Sequence, residues 1–488
     1  MTEENESPGG PGVAIKSFAL VLLYVIPALL SIRAIVDPDM FWHMKAGEWI
    51  VQHHAVPADD PFSAFGQGRP WVAYSWLFEV LFYGLYQGLG WTGILLYRFV
   101  LWIGISIALH RLVQRLQPSF AGSFLLTAVA LVALTRLTEP RPWLFTFLFF
   151  IVELDLLLFA RETGRRWPLL VLPFIFALWA NIHIQFVYGL ALIAIHALDA
   201  IRERVRRPDH RAPISPERLV AATAACVAAT LVNPYHVRLW GVVYEYAHET
   251  QIFSVIGELE AIRFRSTPDW FVLGLTLGAA LALGWRRERS TSDYLLLALS
   301  AFCAFRAQRD TWFVTIVATS ILARVPLPGG PSRAAVARLG AALTAALVTL
   351  AVFLMVHARD RINAWHEKVI AANFPDAAAR FVEDHHLPGP LWNAFGWGGY
   401  LIWRLPRLPV SMDGRTNLHG EERIIRASNT LAGRGWKVDP ELGAARVVIA
   451  SVWKYPLTEL LSRDERFELV YSDDVAAVFV AREPARGH

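Results

Sequence analysis

The chain has 488 residues, 55% of them hydrophobic and only 18% charged, with 19 Trp and 29 Phe. Soluble domains carry about 25% charged residues, so an ordinary soluble enzyme is excluded and an integral membrane protein is expected. The formal net charge of +4 gives no reason to expect a nucleic-acid partner, and the two cysteines, Cys226 and Cys303, both lie in apolar runs and exclude a disulfide framework.

Residues 1–15 form an acidic, Gly/Pro-rich tail expected to be flexible, and the apolar run that follows lacks a small-residue cleavage site, so it reads as an anchor. A span needs roughly 20 mostly apolar residues. Candidates run near 16–36, 74–89, 91–109, 119–136, 143–160, 167–181, 184–201, 217–235, 268–285, 292–306, 309–325 and 335–357, and the expectation is about 11 to 13 transmembrane helices. Arg202, Arg204, Arg206, Arg207 and Arg211 mark a cytoplasmic loop by the positive-inside rule. Loop 37–73 holds only Lys45 and Arg69 against Asp37, Asp39, Glu48, Asp59 and Asp60, and is expected outside.

That loop begins with Asp37-Pro38-Asp39-Met40-Phe41-Trp42-His43. Proline suits a first helical position and pushes its predecessor out of helical geometry, so Asp37 reads as the N-cap of a helix running from Pro38 towards Gln52. Asp39 and His43, four apart, share one face of it. Met40, Trp42, Met44 and Ile50 make much of the rest apolar, as in a short helix lying along the membrane surface. Ionisable groups are costly at a membrane boundary, which makes these acids candidates for chemistry. Against this stands a purely structural role, with Asp37 capping and Asp39 complementing the helix dipole.

Further along, Glu139-Pro140-Arg141-Pro142, the pair Asn181 and His183, and Phe305-Arg306-Ala307-Gln308-Arg309-Asp310 interrupt apolar segments. Boundary arginines usually face a polar cavity, and their forked donors suit phosphate. The competing expectation is that the arginines pair with acids and that the polar breaks are satisfied by surrounding protein.

From residue 359 the apolar runs shorten and charges multiply. Residues 365–383 read as a helix with a break at Phe374-Pro375-Asp376, residues 447–452 as a buried strand, and 467–471 with 475–481 as a hairpin around Ser472-Asp473-Asp474. The expected organisation is a tail (1–15), a transmembrane domain (16–358) and a small soluble α/β domain (359–488) large enough for its own core. Its loops Trp392-Asn393-Ala394-Phe395-Gly396-Trp397-Gly398-Gly399-Tyr400 and Ser411-Met412-Asp413-Gly414-Arg415-Thr416-Asn417 join glycines to aromatics. Such loops let a backbone approach a ligand while rings supply contact area. Asn393, Trp397, Tyr400, Asp413 and Arg415 are therefore candidate acceptor or lid residues.

A first span, an external loop with an early Asp-x-Asp, a surface helix and many further spans resemble the GT-C glycosyltransferases, membrane enzymes that take sugars from polyprenyl-phosphate carriers. The likeness rests on Asp37-Pro38-Asp39, Phe41-Trp42-His43, Gly47, Ile50, Val56-Pro57, Asp60-Pro61-Phe62-Ser63 and Gly68-Arg69-Pro70-Trp71. Leu178-Trp179-Ala180-Asn181-Ile182-His183 and Val232-Asn233-Pro234-Tyr235 extend it. The nearest description is a bacterial branch distantly like protein mannosyltransferases and oligosaccharyltransferase catalytic subunits. The tail lacks the acidic residue of the latter's Trp-Trp-Asp-Tyr-Gly loop, so their acceptor recognition does not transfer. What the resemblance implies is sugar transfer from a polyprenyl-phosphate-linked donor to a glycan, lipid or protein acceptor, outside a bacterial cytoplasmic membrane. Asp39 or Asp37 would be the base, Arg141, Arg306, Arg309 and His183 would hold the donor phosphate, and Asp39 with His43 could ligate a divalent metal such as Mg or Mn. A flippase of a lipid-linked glycan would instead need pseudo-symmetric halves with interrupted helices, and a non-catalytic scaffold could keep the same fold.

Overall fold

The computed structural model describes residues 11–209, 212–248, 251–285, 290–328, 330, 334–453 and 455–482, so the first ten residues of the acidic tail, and Arg211 of the basic loop, lie outside the described residues. In chain order the helices are α1 (Pro11–Ser31), α2 (Asp39–His53), α3 (Trp76–Leu89), α4 (Trp91–Leu116), α5 (Phe120–Leu134), α6 (Trp143–Thr163) and α7 (Trp167–Ile182). They continue as α8 (Phe186–Arg206), α9 (Pro216–Ala229), α10 (Arg238–His248), α11 (Thr267–Trp285), α12 (Thr291–Arg306), α13 (Thr311–Leu322) and α14 (Ala334–His357). The C-terminal part adds α15 (Arg359–Asn373), α16 (Asp376–Asp384), α17 (Gly398–Arg404), α18 (Thr416–His419), α19 (Glu421–Leu431), α20 (Pro440–Ala444) and α21 (Leu457–Ser462). These elements form two compact units.

The first unit comprises Met1–Arg33, Thr92–His236 and Glu258–Arg359 and is helical. Among the described residues, six helices are long and apolar enough to cross a membrane: α1, α4, α5 with the short turn that extends it to Leu137, α6, α11 and α14. The chain is thus a helical, membrane-embedded protein. The other apolar runs form shorter or more charged helices. The 16 residues of α7 cover about 24 Å, less than a hydrocarbon core of about 30 Å, and α8 carries Asp199, Arg202, Glu203, Arg204 and Arg206. The interior is aromatic, with Trp312 of α13 fully buried among Phe147, Phe150 and Tyr188. Outward, α14 leaves Leu343, Leu347, Leu350 and Phe353 exposed, the surface a lipid-facing helix presents.

The second unit comprises Ala34–Trp91, Val237–Gly257 and Asp360–His488. The first loop therefore belongs to the same body as the C-terminal region, which a division at residue 358 would separate. Its four-stranded sheet runs β1 (Leu391–Asn393), β2 (Val447–Ser451), β4 (Ala476–Ala481), β3 (Phe467–Ser472), with β1 parallel to β2 and the other pairs antiparallel. All five residues of β2 are buried, and β3 with β4 forms the expected hairpin. The expected break is also present: α15 ends at Asn373, and α16 begins after Pro375.

The apolar face of α2 is covered by protein. Met40, Phe41, Trp42, Met44 and Ile50 are buried by protein, chiefly α3 and α17, rather than by lipid. Close approach makes this packing possible: a side chain at Gly47 would strike the Glu79 backbone of α3, and one at Gly399 would strike the Pro38 carbonyl.

Candidate functional site

The helix-start chemistry of Asp37 is as its sequence requires. Its Oδ1 accepts the Asp39 amide at 3.1 Å, and the carboxylate is buried. This is the Asx-type cap that satisfies an otherwise orphan donor. Asp39 lies one step inside the helix and packs its carboxylate against Gly414, where any Cβ would overlap it. A side chain at position 414 of Asp413-Gly414-Arg415 would therefore displace the first-loop acid.

That tripeptide is held by a buried charge network. The Arg415 guanidinium donates to Asp60 (Nη1 to Oδ1, 2.5 Å) and to both Asp413 oxygens (2.7 Å each), and all three side chains are inaccessible to solvent. The guanidinium carbon lies 5.2 Å from the Phe62 ring centre and 4.7 Å from that of Trp71. Arg423 Nη1 donates to His419 Nδ1 at 2.6 Å, so the imidazole proton sits on Nε2 and is given to Asp413 at 3.1 Å. Arg423 also pairs with Glu441. Burial pushes the Asp413 carboxyl upward, but Arg415 and His419 outweigh it and hold the group well below the usual carboxylate range. Burial likewise opposes the charge on Arg415, and Asp413 and Asp60 outweigh that effect.

One turn from Asp39, His43 turns Nδ1 towards Glu79 Oε1 of α3 at 3.3 Å, and both side chains are buried. Glu79 Oε2 has no hydrogen-bond partner. The helix α3 has 14 residues, too few to span a bilayer. Burial pushes the Glu79 carboxyl up to about 8, against the lowering field of Arg415. Glu79 was missed in the sequence because it sits in an apolar run; a lone acid in such a run was itself the available signal. Among the described residues, no three His, Cys, Asp or Glu gather in a way that could hold a metal ion.

The candidate acceptor residues are framework in this structure. Asn393 is buried, donates to the Met412 carbonyl at 2.8 Å and accepts the Ser411 amide at 2.9 Å, which ties β1 to the strand leading into Asp413. Tyr400 is buried against Phe41 and Phe374 and donates to Asp376 at 2.7 Å. Trp397, partly buried, packs on the core beneath the sheet. Gly398 is where it is because a side chain there would strike the Met412 carbonyl. Gly398 and Gly399 thus serve close packing, and Asn393, Tyr400, Asp413 and Arg415 are buried.

The remaining candidates lie in the first unit and come together there. Arg141 and Arg309 both approach Glu258, at 3.4 and 4.0 Å, and the charges of both reach His183. His183 Nδ1 receives the Thr146 hydroxyl at 2.8 Å, and Thr146 in turn accepts from the Trp179 indole at 3.0 Å. Gln185 donates to Asp310 at 2.9 Å. Arg306 ends α12, where its charge complements the helix C-terminus. Asn181 bonds the Val232 carbonyl at 2.7 Å, so this polar break is satisfied by protein, as one of the two expectations required. No family model matches the chain, and no curated protein matches it.

Proposed function

We propose that the chain is a membrane glycosyltransferase of the GT-C kind, taking a sugar from a polyprenyl-phosphate carrier on the outer face of a bacterial cytoplasmic membrane, with Asp39 as base. The observation that carries this is the setting of Asp39: its neighbour Asp37 is engaged as a cap, and its own carboxylate rests against the one residue of a buried, charge-locked turn that leaves it room. A base must be held in place by groups that do not themselves move, and this network supplies them.

In such a reaction the acceptor hydroxyl gives its proton to Asp39 as its oxygen bonds the anomeric carbon. The bond from that carbon to the carrier phosphate breaks, and the phosphate leaves with the electron pair. General-base assistance contributes typically ~10²–10⁴-fold. The departing charge calls for cations. Among the described residues no group of three candidate ligands gathers at Asp39 and His43, so no step is routed through a metal.

Asp37→Asn and Asp39→Asn, introduced separately into the native host, test it. Loss of a surface glycan or lipid-linked product with Asp39→Asn, matching deletion of the whole chain, supports the assignment. Normal products from both variants, where deletion removes them, would sink it.

A further inference from the structure

On the sheet of the second unit, α21 and the chain entering it stand over β3 and β4 and leave a cleft of about 430 Å³. This is within the range of about 300–1,000 Å³ found for small-molecule sites. Its apolar lining includes Leu469, which is 48% exposed, with the buried Ala477 and Phe479. At its edge stand Trp453, 76% exposed, and Tyr455. The polar lining side chains are Thr458, Glu459, Ser462 and Ser472. Among the described lining residues there is no cation, and Asn393, Asp413, Arg415 and the acids of α2 are not part of it.

We propose that this cleft binds a neutral saccharide. A pyranose has a face of C–H groups and an edge of hydroxyls, and the cleft offers both complements: indole and phenol rings beside an apolar lining, and a carboxylate and hydroxyls around them. An indole left three-quarters in water contributes little to the fold, so its place at a cleft edge needs another use. Glu459 is ion-paired with Arg463 at 2.5 Å, but both side chains are mostly exposed. Such a pair is weak enough for sugar hydroxyls to compete with it. The Glu459 carboxylate disfavours an anionic ligand by its like charge. The proposal stands apart from the transferase assignment, since none of its residues touches Asp39.

The full-length chain in detergent, titrated calorimetrically with neutral mono- and oligosaccharides of glucose, mannose, galactose and N-acetylglucosamine, tests it. Saturable binding of at least one sugar is expected, weakened about tenfold by Trp453→Ala, largely restored in Trp453→Phe and weakened by Glu459→Gln. Trp453 and Glu459 are too exposed for their loss to unfold the domain, so a missing effect is informative. No binding by any sugar, or binding indifferent to Trp453→Ala, would overturn the proposal. So would tighter binding of choline than of any sugar, or loss in Trp453→Ala of retention on lipid vesicles without loss of sugar binding, because the ring would then serve a cation or the membrane surface.

Discussion

Replacing Arg415 with Met removes the only described cation lying directly between two buried acids, Asp60 at 2.5 Å and Asp413 at 2.7 Å. Methionine keeps much of the volume, so the cost is electrostatic: breaking a buried pair by removing one partner costs about 3–5 kcal/mol. At about 1.4 kcal/mol per tenfold, opening of the surrounding segment should become roughly two to three and a half orders of magnitude more frequent. Hydrogen exchange reads this directly. The Phe62 and Ser63 amides are given to Asp60 and the Arg415 amide to Asp413, each at 3.0 Å, so these amides report the opening of the turn. Adding Asp60→Asn to Arg415→Met should cost less than the two single changes summed, because the acid it neutralises has already lost its partner. The pH dependence has a definite sign. Asp413 is held below its unfolded pKa, so its contribution is present above the ordinary carboxylate range and is lost as pH falls through the lower, folded value. Without Arg415 that acid loss should begin at higher pH. Exchange at these amides within about fivefold of the wild type, with an unchanged acid limb, would refute the reasoning.

Glu79 has the opposite sign. Its carboxyl is raised to about 8 by burial, so between its unfolded pKa and that value the folded state retains a proton the unfolded state has released, and stability falls as pH rises through that window. Glu79→Gln should flatten this limb in thermal unfolding of the detergent-solubilised chain, with the gain largest near pH 8; a limb as steep as that of the wild type would show that another group titrates. Gly398→Ala should lower the melting temperature or abolish folding, since the new methyl group meets a backbone carbonyl that cannot swing away, whereas Gly396→Ala, with open space around it, should be close to neutral in the same assay.

Local signals carried the sequence reading where the physics is local. The helix after Asp37, the break before Pro375 and the β3–β4 hairpin all follow from capping, proline geometry and strand alternation. What could not be read is pairing across the chain. Asp60 and Arg415 are 355 residues apart, and nothing at either position announces that the other neutralises it. His43 looked like a partner for Asp39 because both share a helix face, yet its described partner is Glu79, on the next helix. The glycines around Trp397 pointed to a ligand loop, although a glycine demanded by close packing has the same sequence appearance as one demanded by a ligand. Span counting met a similar ambiguity: an apolar run buried inside protein, as in the 12-residue α13, reads like one buried in lipid.

The most direct test of the proposed reaction uses the purified chain in lipid nanodiscs with a panel of polyprenyl-phosphate sugars and a membrane extract of the native host as acceptor, following release of polyprenyl phosphate. Wild-type protein should release it with at least one donor, Asp39→Asn should reduce the rate by about 10²-fold or more with the fold intact by hydrogen exchange, and Asp37→Asn, whose amide oxygen can still accept the Asp39 amide, should stay close to the wild-type rate. An Asp39→Asn variant that turns over at the wild-type rate would contradict the assignment of Asp39 as the base.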